Sequence, residues 1–138
     1  MDGNGDAVVD ASLFNECRTE LGPSFIRIVG YFKEDGVKAV NQIEFAFRQG
    51  DAVAMVTPAH KLKGEAYQLG ATKLAELAKL IEFGARKCIN YKETPDELLV
   101  HVVKLKPLLE ETLAYFERET NPLVTRSRPT FGRASTAT

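Results

Sequence analysis

Cysteine and histidine are scarce in this chain, with two of each, and tryptophan is missing. Cys17 and Cys88 stand far apart, without a CxxC pair or paired histidine spacing. Neither a disulfide nor a zinc site is therefore expected, and both thiols read as buried and reduced. No apolar run approaches the ~20 residues of a membrane span. The opening stretch Met1-Asp2-Gly3-Asn4-Gly5-Asp6 has no basic segment and no apolar core, so it does not read as a signal peptide. A formal net charge of −1 gives no reason to expect nucleic acid or an anionic membrane as a partner. Together these absences point to the cytoplasm. Also missing are a GxxxxGK[ST] or other glycine-rich phosphate cradle, HExxH spacing, and an acidic triad able to hold Mg²⁺. An ATP-using kinase and a metal hydrolase are thus disfavoured. What remains is a 138-residue chain, 44% hydrophobic, which suits one domain with a proper core.

That domain is expected to be all-helical, since no strand-like alternation of useful length appears. Residues 1–9 read as a flexible lead. Asp10 is placed to cap a short first helix to about Glu20, with Leu13, Phe14, Cys17 and Leu21 as its apolar side. A long helix follows over about 24–49, striped by Phe25, Ile28, Val29, Phe32, Val40, Ile43 and Phe47. Gly36 is a candidate bend or break in it. Gln49-Gly50-Asp51 supplies a glycine stop and an aspartate cap. The next helix covers about 52–69, with either a kink at Pro58 or a start there. Another covers about 72–90, with Leu74, Leu77, Ala78, Ile81, Ala85 and Cys88 as its seam. Thr94-Pro95-Asp96-Glu97 reads as a capping box with proline at the first helical position, opening a last helix to about 119. Short breaks between long helices give an antiparallel four-helix bundle with a short additional N-terminal helix, over residues 10–119. Residues 120–138 hold Arg126, Arg128 and Arg133 and no acid, and read as a flexible basic Ser/Thr-rich tail.

The chemistry concentrates at His60-Lys61-Leu62-Lys63-Gly64. At about 100° per residue, Ala52, Met55, Ala59, Leu62, Ala66 and Leu69 form one apolar seam, and His60 lies about 130° from its middle, facing solvent. An exposed histidine on a helix is by default only a solvated residue. Here Lys63 and Gly64 follow one turn along. A neutral imidazole is a good nucleophile that forms covalent intermediates. Lys63 can balance phosphate charge, since phosphoryl transfer needs mainly positioning and cations. Gly64 opens the flank to another protein, at a helix cost of roughly 0.5–1 kcal/mol. Val53, Val56 and Tyr67 border the same side, and Lys61 with Lys63 makes the neighbourhood basic, which suits an acidic partner. His101, on the last helix, lacks such companions and reads as a boundary residue.

The segment resembles the signature of histidine phosphotransfer (HPt) domains, His-x-Leu-Lys-Gly followed by small residues and a Leu-Gly pair. His60, Leu62, Lys63, Gly64, Ala66, Leu69 and Gly70 match, while Glu65 stands where a small residue is usual. The resemblance implies a phosphocarrier that takes a phosphoryl group on Nε2 of His60 from a receiver-domain aspartate and relays it to another receiver. It implies response-regulator receivers and a hybrid histidine kinase as partners, no cofactor of its own, and Mg²⁺ on the receiver. Arg86 resembles a basic residue that such domains place near the phosphohistidine, and an i,i+4 ion pair with Glu82 is the equal alternative. Two other functions stay open: a receiver-binding adaptor without transfer, and a domain phosphorylated by a chemotaxis-type kinase. The acid that usually follows the histidine of sensor-kinase dimerisation domains is replaced by Lys61.

Overall fold

In the computed structural model, which describes residues 7–121, five α-helices follow one another: α1 (Ala11–Leu21), α2 (Phe25–Arg48), α3 (Ala52–Gln68), α4 (Thr72–Tyr91) and α5 (Leu99–Thr120). Two single 3₁₀ turns, Gly22–Ser24 and Asp96–Leu98, lead into α2 and α5. Three-residue connections turn the chain back between α2 and α3 and between α3 and α4. α3 packs on α2 and α4, and α5 closes the ring from the far side by packing on the same two helices. α1 lies against α2 and α3. The four-helix bundle with its short extra helix is thus the architecture expected from the apolar periodicity.

The seams pack as their spacing requires. Met55, Ala59, Leu62, Ala66 and Leu69 of the α3 side are all at most 1% exposed, and so are Leu74, Ala78, Ile81 and Ala85 of α4. Val102, Leu105, Leu109, Thr112 and Phe116 of α5 are buried opposite them. Thr112, the polar member, donates its hydroxyl to the Leu108 carbonyl at 2.8 Å, so burying it leaves no orphan group. Where α1 crosses the bundle, Phe14 meets Phe25 and Tyr115 edge-on at 5.2 and 5.4 Å and stacks on Phe116 at 5.4 Å. Pairs of this kind add about 0.5–1.5 kcal/mol each beyond area burial. The same end holds Val9, which is 2% exposed, although the sequence placed it in the flexible lead. Residues 1–6 of that lead, and 122–138 of the expected tail, lie outside the described residues.

Three local expectations change. α2 runs unbroken through Gly36, because that position is buried and a side chain there would press on Leu109 Cδ1, 3.1 Å from where its Cβ would stand. The glycine makes room for α5 rather than a bend. α3 starts at Ala52, as the span 52–69 had it, and the alternative start at Pro58 falls away; the Asp51 carboxylate holds its first turn by accepting from Ala54 N–H at 3.0 Å. The capping box does not form. Thr94 donates to Asp96 at 3.1 Å instead, and α5 begins only at Leu99, after a 3₁₀ turn that buries Leu98.

Gly70 anchors α1 to the bundle. Its φ of +81° ends α3, and its carbonyl accepts from Asp10 N–H at 2.8 Å. A Cβ at Gly70 would stand 2.9 Å from both Asp10 O and Phe14 N. Only glycine permits that turn and that contact together.

Candidate functional site

His60 stands two residues beyond Pro58 on the uninterrupted α3, with its side chain 62% exposed. The ring is not free to swing. Its Nδ1 lies 3.0 Å from Oε2 of Glu82 on α4, whose side chain is 3% exposed. The same carboxylate gathers two more groups. Arg86 donates to Oε2 from Nε at 3.1 Å and approaches it with Nη2 at 3.0 Å, and Lys63 Nζ stands 2.9 Å from Oε1 as an ion pair rather than an aligned hydrogen bond. One buried anion therefore organises three cation-forming side chains from two helices. Burial pulls the Glu82 carboxyl upward, but its contacts with Lys63, Arg86 and His60 outweigh that and hold it below the usual carboxylate range. An ionised carboxylate only accepts, so in the neutral ring the proton sits on Nδ1 and the lone pair on Nε2.

The remaining candidates divide between the two flanks of α3. Gly64 is exposed, and a Cβ added there would meet nothing within 4 Å. Val53 and Tyr67 are 67% and 60% exposed, and Val56 is half-buried against the core. Tyr67 lines a shallow cavity of about 150 Å³ together with Leu13, Cys17 and Leu21 of α1. Glu16, Glu20 and Gln68 line it as well, so the surface between Tyr67 and the first helix is mixed in character. Lys61 departs from expectation. It points to the α2 side, with Nζ 3.9 Å from Asp35, so the positive charge beside His60 comes from Lys63 and Arg86. Glu65 faces Asp35 as well. Burial first, then Asp35, raises its carboxyl above the ordinary value. The unusual acid of the motif therefore lies on the opposite flank from Glu82.

His101 is half-buried on α5, the helix diagonal to α3. The sequence reading missed the centrality of Glu82, which it treated only as a partner for Arg86. A signal was present: Glu82 interrupts the stripe Ala75, Ala78, Ala85, and an acid inside an apolar stripe needs partners to be buried. Arg86 makes the i,i+4 pair with Glu82, the carboxylate that also holds His60. Cys17 and Cys88 are free thiols. Among the described residues, no cluster of three or more His, Cys, Asp or Glu is placed to hold a metal ion, and no helix is long and apolar enough to cross a membrane.

Comparison with known proteins gives a family and a fold. The family model described as Hpt domain matches residues 27–116. Among solved structures, the fold resembles that of histidine-containing phosphotransfer protein B (HptB) from Pseudomonas aeruginosa PAO1. The TM-score is 0.56 at 19% identity, over 78% of this chain and 96% of that one. No curated protein matches the sequence.

Proposed function

We infer the function from one premise: the chain belongs to the Hpt domain family, and so is a histidine phosphotransfer protein of phosphorelays. Hpt domains are phosphocarriers rather than enzymes, and they work between kinase and receiver components. Within that role His60 is the phosphoacceptor. The observation that carries this reading is the pairing of an exposed imidazole with a buried carboxylate, which occupies Nδ1 and leaves Nε2 as the nucleophile.

The step follows from that geometry. Nε2 attacks the phosphorus of a receiver's aspartyl phosphate. The bond from phosphorus to the aspartate oxygen breaks, a P–N bond forms, and the ring acquires positive charge while keeping its proton on Nδ1. Glu82, 3.0 Å away and ionised, balances that charge. Lys63 shares the carboxylate with the ring and so stands ready to contact the phosphoryl oxygens. Gly64 leaves the approach open, and Val53, Val56 and Tyr67 offer the apolar surface on which the receiver docks. Arg86 serves at its rim, and the Mg²⁺ and catalytic carboxylates come with the receiver.

The test is incubation with a receiver domain phosphorylated on its aspartate. Label should move to this chain as an acid-labile, comparatively base-stable phosphoramidate. It should be lost in His60→Gln and kept in His101→Gln. A chain that binds the receiver but stays unlabelled would be an adaptor, and label persisting in His60→Gln would place the acceptor elsewhere. Labelling by a kinase's ATP-binding domain, and not by any receiver, would favour the chemotaxis-kinase alternative.

A further inference from the structure

Phe83 follows Glu82 on α4, 52% exposed and outside the packed core. A single exposed phenylalanine is ordinary, but two ammonium groups converge on this one. Lys63 Nζ, from α3, lies 5.3 Å from the ring centroid, and Lys79 Nζ, one turn earlier on α4, lies 5.8 Å from it. Both fall inside the ~6 Å range over which an aromatic face attracts a cation. Lys63 is the lysine that shares the Glu82 carboxylate with His60. Its side chain is 27% exposed, against 58% for Lys61 two residues earlier. A lysine is a strongly hydrated point charge on a flexible stem, so water would ordinarily draw it outward. Here Glu82 holds the ammonium on one side and the Phe83 ring holds it on another.

We propose that Phe83 is a positioning residue for phosphotransfer, its ring keeping the Lys63 ammonium on the α3–α4 seam beside His60. This role rests on the reading of His60 as phosphoacceptor. The ammonium then reaches an arriving phosphoryl group by a short shift from Glu82, without being recruited from solvent. A mobile lysine would have to give up rotamer freedom at that moment, and the ring removes much of this cost beforehand.

The experiment uses the full chain phosphorylated by phosphoramidate and freed of donor, with no receiver present, so that docking plays no part. The lifetime of the label is followed as water attacks phosphorus, the P–N bond breaks, the ring leaves as neutral imidazole and inorganic phosphate is released. Phe83→Leu keeps apolar bulk but removes the aromatic face, and it should shorten the lifetime roughly two- to fivefold. Phe83→Tyr should restore it. In a Lys63→Ala background, Phe83→Leu should change nothing further, a result that a merely structural role would not give. An unchanged lifetime in Phe83→Leu, or an equal drop with and without Lys63, overturns the proposal. In unphosphorylated protein, the ring-current shift of the Lys63 ε protons, lost in Phe83→Leu, reports the contact on its own. A wild-type chain that shows this shift but takes no histidine label overturns the reading of His60, and the role with it, while the contact stands.

Discussion

Replacing Glu82 by glutamine would keep the shape of the side chain while removing the charge that gathers His60, Lys63 and Arg86. The amide oxygen can still accept one hydrogen bond, but a neutral acceptor is weaker than an ionised one by about 1 kcal/mol or somewhat more. Its amide NH₂ would also face groups that are themselves donors. Glu82→Gln is therefore expected to slow phosphorylation of His60 roughly tenfold, as measured by single-turnover transfer from a receiver. An unchanged rate would show that the ring needs no carboxylate. At this scale the sequence was informative about His60, whose place on an exposed flank follows from the phase of the α3 seam. It marked Glu82 as an acid inside an apolar stripe but did not pair it with His60, because the contact joins residues 22 positions apart on two helices. Helical phase can place each residue on its own helix, but it does not say which flanks of two helices meet.

Between elements, two glycines of the same motif have opposite jobs. Gly64 has open space where its Cβ would be, whereas Gly70 has backbone at 2.9 Å and a φ of +81°. Gly64→Gln should raise the stability of the bundle by roughly 0.5–1 kcal/mol, since glycine is a poor helix former, and yet sharply slow transfer by obstructing the receiver. Chemical denaturation and transfer kinetics on one variant separate the two effects, and wild-type kinetics would refute the steric role. Gly70→Ala should do the reverse. It should cost at least ~1–3 kcal/mol through the strained turn and the displaced α1, while transfer measured on the folded fraction changes little. Helix spans were legible from seams and stops. The start of α5 was not, because Thr94 turns to Asp96 and the backbone tightens into a 3₁₀ turn that seats Leu98 over Gly84, where no side chain stands. Local capping chemistry yields there to packing between α4 and the chain entering α5.

Across the whole bundle, the carboxylates of the two α3 flanks pull its acid stability in opposite directions. Glu82 titrates below its ordinary value in the fold, so its contribution is present above the unfolded value of about 4.3 and is lost as pH falls through the lowered native one. Glu65 is shifted upward, so its ionisation weakens the fold as pH rises from that unfolded value through the raised native one. Thermal melts from about pH 2 to pH 7 should therefore show Glu65→Gln more stable than wild type near neutrality, with the gain shrinking towards acid. Glu82→Gln should be less stable near neutrality, with a flatter loss on acidification. Parallel melting curves for all three proteins would show that neither shift acts on folding. The central claim, that this bundle carries its phosphoryl group on Nε2 of His60, is met most directly by nitrogen-detected NMR of the histidine rings after phosphorylation by a receiver. The account predicts phosphorus on Nε2 of His60 with a proton retained on Nδ1. Phosphorus on Nδ1, on His101, or on no histidine would contradict it.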